Sequence, residues 1–293
     1  MHFLLAFGLA VVLTPTAARL ARRLSLVDTP SVAGEVRDDA GLKIHARPIP
    51  VLGGAAVVAA VFGAAWLLGK SVAASVTAAA IVALGAGIAD DAKPLPPWVR
   101  VQFQILAGLV LAAGGLRVGP EGAVGVVALV VLTVACANAV NLVDGQDGLA
   151  AGLGAIAAVG LGLLAGGQAE TLGFATAGAL SGFLVWNRPP ARIFLGNGGA
   201  YATGVFLAAL SAMVTQAGGM RGMFAAVSCL AVFAFELVTT VVRRLLAGVP
   251  LTEGDRRHGY DLLAIRLGGR TRSTLALWAI GAVTAAVGLL IGT

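Results

Sequence analysis

Long apolar runs separated by short polar segments make up almost the whole chain. Each run has about the 20 residues needed to cross a hydrocarbon core of about 30 Å. None shows the alternation of apolar and polar positions that marks a membrane-spanning strand, so the pattern predicts helices. We therefore predict an all-α integral membrane protein, a polytopic bundle of about ten transmembrane helices. The predicted spans are 2–18, 51–68, 71–89, 100–115, 123–140, 149–166, 170–186, 199–215, 222–242 and 273–291.

Composition agrees with that pattern. Hydrophobic residues make up 58% of the 293 positions and charged residues 12%, whereas soluble proteins have about 25% charged residues. No polar segment is long enough to fold alone, so residues 1–293 are expected to form one membrane domain. Cys136 and Cys229 both fall inside predicted spans, which suggests buried thiols and no disulfide or zinc framework. Nucleic-acid binding is set aside, because it needs a basic face outside the membrane.

The basic residues are distributed unequally between the two sets of loops. If the ten spans alternate, one side carries 17 of the 20 Lys and Arg residues, and the other side holds only Lys70, Arg117 and Arg221. The positive-inside rule makes the first side cytoplasmic and puts both termini outside. The predicted cytoplasmic segments are 19–50, 90–99, 141–148, 187–198 and 243–272.

Two adjacent carboxylates, Asp90 and Asp91, follow the third span directly. Like charges at a membrane edge repel one another unless a cation or a proton lies between them. A divalent cation such as Mg²⁺, which takes oxygen ligands and keeps waters and substrate phosphates, would resolve the repulsion. The alternative is a solvated helix cap with Lys93 as its partner.

A second polar cluster, NAVNLVDGQDGLAAG at Asn138–Gly152, separates two apolar runs. Asn138 and Asn141 are three residues apart, as are Asp144 and Asp147, so each pair would share a face of a continuing helix. Ionisable groups at such a depth are a functional-site hypothesis by default. The alternative is an ordinary glycine-rich connection with Asx turns.

Three further polar features fall on the same predicted side. Gly196-Asn197-Gly198-Gly199 opens the eighth span, where free backbone N–H groups suit an anion such as a phosphate. His45 and Arg47 precede the second span, as substrate contacts or as a solvated loop. The last loop adds Arg256, Arg257 and His258.

Taken together, the motifs resemble those of the polyprenyl-phosphate N-acetylhexosamine-1-phosphate transferase family, membrane enzymes that start lipid-linked glycan and peptidoglycan synthesis. HARPIPVLGG resembles a loop motif of that family, GIADDAKPL its paired-aspartate motif, and NAVNLVDGQDGLAAG its NxxNxxDGxDGLA motif almost letter for letter. The resemblance runs from Leu26–Asp28 to Asp255–His258, over most of the chain.

The resemblance implies transfer of a sugar 1-phosphate from a UDP-sugar to polyprenyl phosphate, with release of UMP, on the cytoplasmic face of a bacterial inner membrane. It implies Mg²⁺, with Mn²⁺ as the alternative, and leaves a homodimer open. The expected catalytic residues are Asp90, Asp91, Asp144 and Asp147, and the expected metal ligands are Asp91, Asp144 and Asn197. The expected substrate-binding residues are His45, Arg47, Lys93, Asn138, Asn141, Asn197, Arg256, Arg257 and His258.

The chain departs from the family pattern at two places. Asn197 stands where the family usually has an aspartate that binds magnesium, and an amide oxygen brings no charge to a metal. The last loop has the single His258 where the family usually has a histidine cluster, with Tyr260 and Asp261 at the other positions. Because that cluster is missing, a UDP-N-acetylhexosamine is favoured over the muramyl-pentapeptide donor.

Two other functions remain open. Intramembrane carboxylates also mark transporters, although those usually lie near the bilayer midplane, whereas here the acids lie at span ends on one side. The second is a catalytically silent paralogue, prompted by Asn197, that binds a nucleotide sugar or a lipid without turnover.

Overall fold

The computed structural model describes residues 1–29, 47–250 and 258–292. The predicted all-α class is confirmed: helices dominate these residues, and five helices are long and apolar enough to cross a membrane. In chain order the helices are α1 His2–Arg23, α2 Gly53–Leu67, α3 Ala74–Ala92, α4 Pro97–Ala113, α5 Ala123–Val143, α6 Leu149–Ala165, α7 Gly167–Asn187, α8 Gly196–Cys229, α9 Ala231–Ala247, α10 Gly259–Arg266 and α11 Arg270–Gly292.

The predicted ninth span, 222–242, is not one continuous helix. α8 runs through a kink at Gly219, whose φ is 55°, and ends at Cys229, after which α9 begins at Ala231. The break inside the predicted span is at Leu230, whose φ of −97° and ψ of 6° separate the two helices. The kink at Gly219 precedes that span and needs a glycine because its φ is positive. α9 is therefore a helix separate from α8.

α8 is the centre of the bundle. Within its most apolar stretch 94% of the residues are buried, against 22–39% in the other four long helices. It packs against α3, α5, α6 and α11, while α1 packs against α7 at one side. The remaining apolar residues of the outer helices face outwards, as expected in lipid, where helices associate through packing of small residues.

Glycines allow the start of α8 to approach two neighbouring helices closely. A side chain on Gly54 would collide with Gly199, and one on Gly87 would collide with the backbone of Asn197 and Gly198. Small residues at such contacts let helix backbones meet directly. The start of α8 is therefore held firmly between α2 and α3.

A short strand pair ties the helix ends together. β1, Val27–Asp28, pairs antiparallel with β2, Ile49–Pro50. On the other side of β2, the amide of Phe194 donates to the carbonyl of Pro50 at 2.8 Å, and the amide of Gly54 donates to Leu195 at 2.8 Å. These bonds connect the segments that follow α1, precede α2 and precede α8.

Candidate functional site

A cleft of about 1720 Å³ opens where these helix ends meet. Its wall comes from β1, the ends of α3 and α5, the starts of α4 and α8, and from α9. Nine of the predicted site residues that are described line it: Arg47, Asp90, Asp91, Asn138, Asn141, Asp144, Asp147, Asn197 and His258, of which Arg47 is exposed. The structure thus brings into one space residues as far apart in the sequence as Arg47 and His258.

The Asp90 carboxylate accepts two hydrogen bonds and forms one ion pair with protein groups. Its Oδ1 accepts from the amide of Leu95 at 2.7 Å, and its Oδ2 accepts from the Tyr201 hydroxyl at 3.2 Å. The Arg100 guanidinium lies 3.7 Å from Oδ2. With only 6% of its surface exposed, Asp90 has its charge compensated within the protein, because a buried carboxylate is stable only when paired and hydrogen-bonded.

Asp91 caps the start of α8. Its two carboxylate oxygens accept from the backbone amides of Asn197 and Gly198, at 3.1 and 3.4 Å. A carboxylate at this end of a helix is favoured by both the unpaired N–H groups and the helix dipole. The anion expected at the glycine-rich helix start is therefore a side chain of the protein, and a substrate phosphate would meet these two amides already engaged.

Asn197 is joined to the central polar motif. Its side-chain oxygen accepts from the Asn141 amide at 2.5 Å. Asn141 lies on the last turn of α5, one turn before Asp144. An unbroken path of hydrogen bonds therefore runs from Asp91 through Asn197 to Asn141.

Asp144 is the least compensated acid of the cleft. Among the described residues its carboxylate accepts no hydrogen bond and forms no ion pair. Burial, followed by the charges of Asp91 and Asp147, raises the pKa of Asp144 well above its usual range. Desolvation and like charges both oppose ionisation, so this carboxylate lacks the cation or donor that its neighbours have.

The loop that carries Asp144 and Asp147 is fixed from two sides. Asp147 accepts from the amide of Ala191 at 3.0 Å, and the side chain of Asn187 accepts from the amide of Gly148 at 3.0 Å. From the other side, Gln146 donates to the Thr274 hydroxyl at 2.6 Å. The glycine-rich stretch is thus a held loop at the boundary between α5 and α6.

Asn138 lies deeper in the cleft and is held by α4. Its side-chain amide donates to the Gln104 oxygen at 2.7 Å and to the carbonyl of Val134 at 2.8 Å. Both N–H groups are therefore engaged, so the oxygen is the atom that Asn138 presents for other contacts.

The cleft continues into an apolar groove between α4, α5 and α9. Its walls are the side chains of Val101, Ile105, Val130, Val131, Val134, Leu237 and Val241. Arg100 lines the polar end of this groove. The same cleft therefore has a cluster of carboxylates and a surface of apolar side chains.

The remaining predicted residues fall in different places. His258 is buried and lines the cleft, whereas Lys93 is exposed at the end of α3 and does not belong to the lining. The alternative of a solvated helix cap with Lys93 as partner is not observed: Asp90 is buried beside Arg100, and within the described ranges no ion pair joins Lys93 to Asp90 or Asp91. His45, Arg256 and Arg257 lie outside the described residues.

Sequence reasoning missed Arg100, Gln104, Tyr201, Thr240 and Arg244. Arg100, Thr240 and Arg244 line the cleft. Gln104 and Tyr201 form hydrogen bonds with two lining residues, Asn138 and Asp90. One signal was available: Glu236, Thr240 and Arg244 recur every four residues, which places polar groups on one face of a helix. Tyr201 gave no such signal, because it lies in an otherwise apolar stretch.

A family model described as glycosyl transferase family 4 matches residues 73–215. The chain is 30% identical to a phospho-N-acetylmuramoyl-pentapeptide-transferase of Shouchella clausii over 330 aligned residues, covering 99% of this chain and 96% of that protein. It is 26% identical to a probable undecaprenyl-phosphate N-acetylglucosaminyl 1-phosphate transferase of Bacillus subtilis, covering 95% and 81%. A decaprenyl-phosphate N-acetylglucosaminephosphotransferase of Mycobacterium leprae is 32% identical, covering 80% and 71%.

Proposed function

Because the chain belongs to glycosyl transferase family 4, we propose that it transfers a sugar 1-phosphate from a UDP-sugar to a polyprenyl phosphate and releases UMP. The names of its relatives support the reaction class. The observation that carries the proposal is the cleft in which Asp91, Asp144 and Asp147 adjoin an apolar groove. A charged water-soluble donor and a lipid acceptor can meet only in a space that has both kinds of wall.

The proposal includes the topology of the bundle. Ten membrane crossings with both termini outside would put the cleft on the cytoplasmic side of a bacterial inner membrane, where UDP-sugars are present. The excess of Lys and Arg in the loops that surround the cleft supports this orientation. Cysteine labelling of residue 2 and residue 292 in intact cells tests it directly. The mass of the protein in nanodiscs tests whether it acts as a homodimer.

The apolar groove is the proposed site of the acceptor lipid. Isoprenoid chain would contact Ile105, Val131 and Val134, and Arg100 at the polar end would face the phosphate. A phosphate monoester has a second pKa of about 6, so at neutral pH the attacking oxygen is already largely ionised. Catalysis then depends mainly on positioning and on neutralising two anions as they approach.

The oxygen-rich part of the cleft is the proposed Mg²⁺ site, with Mn²⁺ as the alternative. No group of three His, Cys, Asp or Glu side chains within the described ranges forms a complete metal cage. The donor set nevertheless suits Mg²⁺, which uses one or two carboxylates together with water and substrate phosphates. Asp144, with neighbouring carboxylates and no cation, would be one ligand; Asp91 and the oxygen of Asn197 would complete the protein part. When bound, the ion would neutralise charge on the donor diphosphate.

The polar side chains around that point would orient the donor. Asn138 presents an oxygen at the groove end, and Asp147 is fixed by the amide of Ala191 beside the acidic loop. His258 also lines the cleft. We propose a UDP-N-acetylhexosamine as donor, because Tyr260 and Asp261 are engaged in contacts with Leu142 and Arg270 instead of serving as a histidine cluster.

A defined assay tests the reaction. Purified protein is incubated with a panel of UDP-sugars, undecaprenyl phosphate and Mg²⁺, and UMP is measured. We expect UMP release that requires both the lipid phosphate and the metal. Counterflow of a lipid-linked sugar in proteoliposomes without UMP would instead establish a transporter. Binding of UDP-sugar without turnover, restored to turnover by Asn197→Asp, would establish a silent paralogue.

A further inference from the structure

Three polar side chains form a buried line along α9. Glu236, Thr240 and Arg244 are 1%, 3% and 8% exposed, and they recur every four residues on the face that turns towards the bundle. The opposite face exposes Phe235 and Leu246. We refer to Glu236, Thr240 and Arg244 as the α9 polar line. Buried polar groups on an apolar helix are costly, so each is expected to have a specific partner.

Glu236 holds the backbone next to His258. Its Oε2 accepts from the amide of Gly259 at 3.0 Å. Gly259 is the first residue of α10, and His258 is the N-cap residue of that helix. A side chain on Gly259 would collide with the Glu236 carboxylate, so the contact is tight. The buried carboxylate therefore fixes where the chain enters α10.

The imidazole ring of His258 is held as well. The Thr240 hydroxyl lies 3.2 Å from its Nδ1. The Tyr260 ring stacks on the imidazole with centroids 5.1 Å apart and planes 14° apart, and the Tyr260 hydroxyl donates to the carbonyl of Leu142 at 3.2 Å. One nitrogen and one ring face are thus fixed, which sets the position of Nε2.

Thr240 differs from several other helical threonines in its choice of partner. Thr133, Thr215 and Thr239 each donate to the backbone carbonyl four residues earlier, at 2.6–2.8 Å. Such back-bonding is the usual way for a helical threonine to satisfy its hydroxyl. Thr240 turns instead to His258. Its neighbour Thr239 provides a matched control within the same helical turn.

We propose that Thr240 is a positioning residue, whose hydroxyl sets the orientation of the His258 imidazole towards the substrate in the cleft. The inference rests on the proposed function, in which His258 contacts the donor phosphate or sugar. Partners that hold the far nitrogen of an imidazole commonly determine its tautomer and its ring orientation. Thr240 acts only through His258 and does not itself need to touch substrate.

The kinetic test compares Thr240→Val with Thr239→Val, since both replace a hydroxyl by a methyl group of similar size. We expect Thr240→Val to lower kcat about tenfold, the scale on which loss of an orienting partner acts. Thr239→Val should stay within about twofold of wild type, because Thr239 is only partly buried and does not line the cleft. Thr240→Ser, which keeps the hydroxyl, should restore most of the rate.

A double-mutant cycle separates positioning from general destabilisation. In a His258→Gln background, Thr240→Val should change kcat by less than about twofold, because the group it positions has been removed. A tenfold loss that persists in this background would contradict the proposal. So would equal rates for Thr240→Val and Thr239→Val.

A measurement without turnover tests the contact itself. The chain has three histidines, so ¹⁵N labelling of histidine ring nitrogens in detergent-solubilised protein gives a small set of signals, and His258→Gln identifies those of residue 258. We expect Thr240→Val, but not Thr239→Val, to shift the Nδ1 signal of His258. An unchanged signal would overturn the proposal even in an active enzyme. If wild-type protein released no UMP, the proposed function would fail, and this spectrum would still decide the contact.

Discussion

Asp90 and Asp144 are both acids at a helix end in the same cleft, yet their surroundings are opposite. Asp90 is matched by the amide of Leu95, the Tyr201 hydroxyl and the Arg100 guanidinium. Asp144 has two other carboxylates as its electrostatic neighbours and no compensating donor among the described residues. A carboxylate at a membrane edge can therefore stabilise the fold or be available to bind a ligand. The protein groups that contact it distinguish the two cases.

The largest effect is expected from Asp144→Asn. The change removes the proposed metal ligand, so we expect kcat to fall about 100-fold or more, the scale seen when charge stabilisation is lost. The apo protein should be no less stable, because a repelled carboxylate has become neutral. UMP release and thermal unfolding in detergent without Mg²⁺ measure the two quantities.

Asp90→Asn is the matching change at the compensated acid. We expect a loss of about 1–3 kcal/mol in the free energy of unfolding, because Arg100 and the Leu95 amide lose a charged acceptor. A clear drop in stability for Asp144→Asn, with none for Asp90→Asn, would reverse the assignment of roles.

The next largest effect concerns the glycine contact that holds the start of α8. Gly87→Ala would force a methyl group into the backbone of Asn197 and Gly198. We expect a loss of about 1–3 kcal/mol, together with a marked loss of UMP release as Asp91 and Asn197 move apart. Gly85→Ala in the same helix meets no atom within 4 Å and should leave both quantities close to wild type.

The dependence of Mg²⁺ binding on pH is a more moderate test. The raised pKa of Asp144 means that the folded apo protein holds a proton more tightly than the unfolded chain does. The contribution of Asp144 to the free energy of unfolding is therefore present at low pH. It is lost as pH rises from the usual pKa range of an aspartate through the raised pKa of Asp144 in the folded protein. The proposed Mg²⁺ would compete with that proton and should stabilise the protein more as pH rises.

Thermal unfolding with and without Mg²⁺ over a pH series measures this linkage. At about 100 times the dissociation constant the ion should add about 2.7 kcal/mol. The increment should disappear in Asp144→Asn. An increment that is independent of pH, or that survives in the variant, would argue for a metal site elsewhere.

The sequence allowed much of the arrangement to be predicted. The alternation of apolar runs, with the uneven placement of Lys and Arg, predicted that the segments around Asp91, Asn141, Asn197 and His258 share one side, and the cleft brings these residues together. The spacing of polar and apolar residues was enough to predict this side, because helix period and loop position are set by the local sequence.

The rest depended on distant partners or on subtle backbone changes. Nothing adjacent to Asp90 and Asp91 distinguishes them, because Tyr201 and Asn197 lie more than 100 residues away in sequence. The break at Leu230 lies in an apolar stretch, so the hydropathy pattern does not show where one helix ends and the next begins. The partner of Thr240 is likewise distant, because His258 lies 18 residues away at the start of another helix.

The smallest expected effect belongs to Tyr201→Phe, and it tests whether Asp90 is a structural acid. The change removes one of three partners of the Asp90 carboxylate but leaves Arg100 and the Leu95 amide in place. We expect a loss of about 1 kcal/mol in stability, the usual value for one hydrogen bond, and a change in kcat of less than about threefold. Thermal unfolding and UMP release measured side by side provide the check. A large loss of kcat with unchanged stability would mean that Asp90 acts on the substrate, and the contrast between Asp90 and Asp144 would then no longer hold.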